Sequence, residues 1–352
     1  MSRLIVFSFC AAFCGVAQAT FAVETPTEPR QEVRGAEIAQ AIESAVAKVF
    51  ESALPSVVRV ESEDELGRIS GTGFFADADG TIYTLSSVVG DGASVTVAQG
   101  ESKRPAKLLA KDGRSGIALI KVENDRMRPF LVKAGESNNV RPSTPLVVVG
   151  FPFDLDATPS FGVVGGLDRK SHGKFFATTH IRANIPVQRG QGGSPVLDLR
   201  GNVVGILVSG LENGAGCYVL PIAAAEKLRN DFQRFGEVRH GWAGVTLQEL
   251  PQAVEGSYMA VDVVDPSGPA AQDFRVGDVI LQVGNTVIHK PEDAVDAAFF
   301  LTAGDPVKVR VARGGKILEM PFTPGEHPLE SRASLQALGA GSLLGSPGEL
   351  AP

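Results

Sequence analysis

Histidine is absent from the first 171 positions of this 352-residue sequence, and cysteine, tryptophan and basic residues are scarce throughout. Of three cysteines, Cys10 and Cys14 fall within the first 19 residues, which leaves Cys217 alone. A single cysteine can form neither an internal disulfide nor a CxxC site. Cys217 reads as a small buried side chain in a strand. The 33 basic against 40 acidic residues give a net charge of −7. Phosphate recognition needs a basic face, so nucleic acid is not an expected partner. Beyond residue 19 no apolar run approaches the roughly 20 residues needed to cross a bilayer, and no membrane span is expected. Nothing in the composition points to a metal or an organic cofactor.

What is present begins with a leader. Arg3 supplies a positive start, Leu4 to Phe13 an apolar stretch, and Ala17-Gln18-Ala19 a small-residue cleavage site. Export with cleavage before Thr20 is therefore expected. Phe13 before Cys14 is too bulky for a lipoprotein site. Residues 20–35, rich in Pro, Glu, Gln and Arg, read as a linker. From Gly35 to Leu54 the apolar residues recur every three to four positions, which predicts a helix ended by Pro55.

The pattern then changes to short apolar runs between Gly and Asp turns. Six candidate strands lie between Val57 and Val122: Val57–Val60, Gly71–Phe75, Ile82–Val89, Ser94–Ala98, Ala106–Ala110 and Ile117–Val122. Six more lie between Leu146 and Leu220, before a helix over Ala223–Phe235. Two groups of six predict two small barrels rather than a βαβ sheet. Residues 36–235 are thus one domain. Residues 240–324 form a separate α/β unit with strands at Tyr258–Val264, Asp278–Val283 and Val307–Ala312 and a helix near Glu292–Leu301. The Gly, Ser, Leu, Ala and Pro of 325–352 show no periodicity and predict a disordered tail.

Several short motifs in fixed order carry a resemblance. They are Gly71-Thr-Gly-Phe-Phe75, Thr84-Leu-Ser-Ser-Val-Val89, Gly113-Arg-Ser-Gly-Ile-Ala-Leu119, Val149-Gly-Phe-Pro-Phe153 and Arg189-Gly-Gln-Gly-Gly-Ser-Pro-Val196. Over roughly residues 45–325 the chain resembles HtrA/DegP-type trypsin-like serine proteases with one PDZ domain. The resemblance implies a mainly β fold, a chymotrypsin-like double β-barrel followed by an α/β PDZ domain. It also implies trimerisation through the barrels, and the leader places the exported protein in the periplasm or cell envelope.

Carried across residue by residue, the family's catalytic histidine falls on Ser87, its aspartate on Gly116 and its serine on Gly192. A serine nucleophile needs a base to take its proton, and that base needs a carboxylate to orient it. None of the three groups is present, so the resemblance implies a pseudoprotease. Ser194, two residues past the expected nucleophile, reads either as a displaced nucleophile served by His180 or His172, or as a small residue in a turn. Residues Gly190, Gln191, Gly192 and Gly193 read either as an oxyanion-like cradle of backbone N–H groups or as a glycine loop without a ligand.

Gly241-Trp-Ala-Gly-Val245 matches the carboxylate-binding loop of a PDZ domain, which assigns Trp242, Ala243, Gly244 and Val245 to a peptide's free C-terminus. The competing reading is a PDZ fold that serves only as an intramolecular prop. Taken together, these features predict an exported protein that binds peptides or unfolded proteins without cleaving them. It would act as an adaptor, a chaperone-like holder or a regulator of active relatives, as a homo-trimer or in a hetero-oligomer with them. The alternatives are an endopeptidase with an unconventional site and a structural subunit with no peptide ligand.

Overall fold

The structure is a computed structural model that describes residues 35–64, 67–90, 94–122, 140–171, 174–211 and 214–328. The expected leader, most of the linker, His172 and most of the expected tail lie outside the described residues. Contacts divide the chain into residues 1–41 and 42–352. Of the first unit only the opening of helix α1 (Gly35–Ala53) is described. In the second unit α1 buries Val49 and Ala53 before Leu54-Pro55-Ser56 ends it in a 3-10 turn.

The first barrel is built from β1 (Val57–Asp64), β2 (Gly67–Phe75), β3 (Thr81–Leu85), β4 (Ser94–Gln99), β5 (Ser102–Lys111) and β6 (Ile117–Val122). It closes in the order β1-β2-β3-β6-β5-β4. Every residue of β3 is buried, as expected of a strand with both faces covered. The turn before it is fixed by Asp77, whose Oδ1 accepts from the N–H groups of Asp79 and Thr81 at 3.0 Å each. Gly80, at φ +84°, completes that turn in a conformation that suits glycine.

Sequence reasoning carried the third strand on to Val89. The structure instead ends it at Leu85 and turns Ser86–Val89 into one helical turn, α2. Ser86 diverts the chain: its N–H donates to the Gly116 carbonyl and its hydroxyl to the Ile117 carbonyl, each at 2.8 Å. Such local side-chain bonding competes with strand pairing.

The second barrel contains β7 (Pro145–Gly150), β8 (Thr158–Ser171), β9 (Lys174–Ala183), β10 (Pro195–Asp198), β11 (Val203–Gly210) and β12 (Cys217–Pro221). It closes as β10-β11-β12-β9-β8-β7. Helix α3 (Ile222–Phe235) follows and ends at Gly236, whose φ of +77° lets its N–H reach the Phe232 carbonyl at 2.8 Å.

The last domain is a sheet ordered β13-β14-β15-β17-β18, with the short β16 paired to β15. Its strands are β13 (Val245–Val254), β14 (Ser257–Val264), β15 (Val279–Val283), β16 (Thr286–Val287), β17 (Val307–Arg313) and β18 (Lys316–Phe322), with helix α4 (Pro291–Phe299) between β16 and β17. The fold is mainly β, two six-stranded trypsin-like barrels followed by a PDZ-type α/β unit. Residues 325–328, placed in the expected tail, are described: Gly325 exchanges two backbone hydrogen bonds with Trp242, at 2.7 and 2.9 Å.

Candidate functional site

Backbone hydrogen bonds tie down the segments that carry Ser87, Gly116 and Gly192, the positions expected for the triad. Ser87 stands exposed on α2, which Ser86 ties to Gly116. The carbonyl of Gly192 accepts from the Thr72 N–H at 2.8 Å, which holds the 190–194 loop against β2. A Cβ added at Gly192 would stand 2.9 Å from Leu85 Cδ1, so Leu85 fills the space beside the nucleophile position. At Gly116 a Cβ would meet nothing within 4 Å, but the backbone there sits at φ +75°.

The loop itself is well fixed. Gln191 is buried, and its side-chain carbonyl accepts from the Gln188 N–H at 2.8 Å. The Gly193 N–H donates to the Leu207 carbonyl at 2.9 Å. Gly190 and Gly193 occupy φ +93° and +89°, and a Cβ at either would come within 2.3 Å of a backbone oxygen, so the loop geometry demands glycine. Among the described residues, the N–H groups of Gly190 and Gly192 have no acceptor.

Ser194 is fully buried and its Oγ has no hydrogen-bond partner. It packs against Gly150, the last residue of β7, where an added Cβ would stand 2.1 Å from Oγ. His180 does not serve it. That ring bonds the Thr178 carbonyl at 2.8 Å and stacks on Phe176 at 4.4 Å, and burial lowers its pKa. Cys217 is likewise remote from chemistry, since burial pushes its thiol up to about 12.

The structure brings Trp242, Ala243, Gly244 and Val245 together at the mouth of a pocket of about 290 Å³. Val245 and Leu247 of β13 form one wall, and Ala294, Ala297 and Ala298 of α4 form another. β13 is an edge strand, so the backbone groups on its open side are not used by the sheet. Gly244 sits at φ +75°, and a Cβ there would stand 2.9 Å from the Gly268 Cα. The carbonyls of Ala243 and Gly244 accept from Ala270 and Asp265, which holds the loop against the following turn. The Trp242 N–H is committed to the Gly325 carbonyl at 2.7 Å.

A buried pair that sequence reasoning missed joins the two domains. His240 Nε2 lies 2.7 Å from Asp112 Oδ1, with side-chain exposures of 8% and 5%. Asp112 Oδ2 accepts from the Ser115 N–H at 2.9 Å and its hydroxyl at 2.6 Å. Burial alone would raise the Asp112 pKa. The hydrogen bonds from His240 and Ser115 outweigh it and bring the carboxyl down to about 2.

Comparison with known proteins agrees with this two-part layout. A family model described as a trypsin-like peptidase domain matches residues 71–206, and a PDZ domain model matches residues 241–321. The chain has the HtrA/DegP-type arrangement, a trypsin-like domain followed by one PDZ domain. A "Probable periplasmic serine endoprotease DegP-like" of Pseudomonas fluorescens is 30% identical over 275 residues, 74% of this chain and 57% of that relative. A protein of the same description from Halomonas elongata is 25% identical over 343 residues, covering 94% of this chain and 70% of its own length. The chain thus spans little more than half of the first of these HtrA/DegP-type relatives. Among solved structures, one described as "HtrA-type protease AlgW with tripeptide" superposes with a TM-score of 0.66 at 21% identity, covering 80% of this chain and 97% of that one. The serine endoprotease of Yersinia pestis gives 0.59 at 23%, covering 80% and 98%. Both likenesses are of fold.

Proposed function

We propose that this HtrA/DegP-type chain is an exported pseudoprotease that binds polypeptides without cleaving them. One observation carries the reading. Motif spacing assigns the family's triad positions to Ser87, Gly116 and Gly192, while the PDZ unit offers an edge strand, a positive-φ glycine loop and an apolar pocket. Loss of a serine or histidine from such a triad costs about a million-fold in turnover in the subtilisin case, so binding is the simplest remaining task. The groove takes a free C-terminus by strand addition along β13, with the carboxylate received at Ala243–Val245. The N–H groups of Gly190 and Gly192 offer a second, weaker seat for a backbone carbonyl. In the cell the protein works as an adaptor, a holder of unfolded chains or a regulator of active relatives, either as a homo-trimer or in a hetero-oligomer with those relatives.

The test is a titration with the best binder from a decapeptide library randomised in its last three residues, made as free acid and as amide. A hydrogen bond to a charged group contributes roughly 1.5–3 kcal/mol, so the amide should bind about tenfold more weakly or worse. Equal affinity of the two forms would favour a PDZ fold acting only as a prop. Periplasmic location rests on the leader at residues 1–19 and agrees with the names of the relatives. The N-terminus of the cellular protein, read by mass spectrometry, should be Thr20; an intact Met1 would contradict export by this route.

A further inference from the structure

The pocket between β13 and α4 is walled chiefly by apolar side chains and by the backbone of Gly241–Val245, all from the PDZ domain. One lining residue comes from elsewhere. Arg114 belongs to the loop between β5 and β6 of the first barrel, two residues before the position of the missing catalytic aspartate. It is the one Lys or Arg among the lining residues, and no carboxylate among the described residues lines the pocket. The loop Gly241–Val245 carries no cation of its own. Arg239, just upstream, is engaged with Glu237 at 2.8 Å and lies over the Phe235 ring at 4.3 Å.

The position of Arg114 is enforced by its neighbours. Asp112 bonds His240, the residue that leads directly into Gly241, and Ser115 closes back onto Asp112. Both sides of Arg114 are therefore anchored to the start of the PDZ loop through a buried pair. A guanidinium presents donors in a planar fork that matches a carboxylate, which backbone amides alone do not neutralise.

We propose that Arg114 is a carboxylate-binding residue of the PDZ groove. The ligand site is then built by both domains, and it takes the free C-terminus of a partner polypeptide whose last side chain is apolar. The proposal rests on the reading of the groove as a receptor for C-termini. It gives the loop that lost its aspartate at Gly116 a different task, supplying charge to the neighbouring domain.

The test uses the full mature chain as wild type, Arg114→Gln and Arg114→Lys, with the library-selected decapeptide as free acid and as amide, at 50 and 300 mM NaCl. Arg114→Gln should weaken the acid about tenfold and leave the amide unchanged. Arg114→Lys should retain most of the acid's affinity, and the salt dependence of acid binding should flatten in the glutamine variant only. Acid affinity within twofold of wild type in Arg114→Gln would overturn the proposal while leaving the C-terminus reading intact. Equal loss of acid and amide would also overturn it, since that reports packing and not charge. If the library yields no binder for the wild type, or the wild type binds acid and amide equally, the C-terminus reading fails and the proposal fails with it.

Discussion

A serine at position 192 would need Leu85 to withdraw, because its Cβ would stand 2.9 Å from Leu85 Cδ1. That movement is cheap, since the obstacle is the end of a flexible side chain. The obstacle at Gly116 is different in kind: there is room for a side chain, but φ +75° costs an L-residue roughly 1–2 kcal/mol. Ser87 stands exposed and cannot accept a proton near neutral pH. On the proposed reading, a working triad here would need a base, a strained carboxylate and a cleared nucleophile site together. The wild type should accordingly show no casein hydrolysis and no labelling by a fluorophosphonate probe, and Gly192→Ser alone should remain unlabelled for want of a base. Turnover that disappears in Ser194→Ala would contradict this reading. The three expected triad positions were assigned from motif spacing, which the sequence alone supplies. Leu85 was not, because its role depends on which way a β3 side chain faces the 190–194 loop. Neither was the partnership of Asp112 with His240, which are separated by 128 positions.

The loop between β5 and β6 shows what a single element can link. Its Asp112 carboxylate has a pKa near 2 in the folded protein, against an ordinary value near 3.8. A depressed carboxylate stabilises the fold above its unfolded pKa and loses that contribution as pH falls through the folded one. The difference of just under two units corresponds to about 2 kcal/mol, present above roughly pH 4 and lost towards pH 2. Asp112→Asn should therefore lower Tm at pH 7 by about 4–8 °C. The gap to wild type should narrow as pH drops from 4 to 2; a gap independent of pH would mean that the carboxylate is not held ionised by its neighbours. A nearly uniformly buried element such as β6 was legible in the sequence as an apolar run. β13 was not, because an edge strand whose residues are mostly exposed has no such run and contains Pro251. β18 was missed for a related reason, an alternation of exposed and half-buried positions with Pro321 near its end.

Helix α4 faces two ways, and the coupling of the two domains follows from it. One side carries Ala294, Ala297 and Ala298 into the pocket beside β13. Its acidic residues reach the second barrel instead. Asp296 accepts from the Thr179 N–H at 2.8 Å and from the Thr178 hydroxyl on β9, and Asp293 pairs with Arg169 of β8 at 2.6 Å. Asp293 also caps α4, accepting from the N–H groups of His289 and Lys290 at 2.9 and 3.1 Å. A second seam lies at the end of α3, where Arg234 pairs with Asp305 and the buried Asp231 accepts from the Thr302 hydroxyl at 2.9 Å. The PDZ domain is thus fastened at both ends of its helix, and the groove cannot shift without disturbing these bonds. Removing the Asp296 carboxylate leaves the Thr179 N–H and the buried Thr178 hydroxyl without their partner, a cost of about 1–3 kcal/mol per group. We therefore expect the wild type to unfold in one calorimetric transition, since the seams make each domain part of the other's stability. Asp296→Ala should split that transition, with the PDZ domain melting first and the barrels near their original temperature. Asp296→Asn, whose carbonyl oxygen can still accept from both donors but without the negative charge, should fall between them. A single transition in Asp296→Ala, shifted as a whole, would show that the α3 seam suffices to couple the domains.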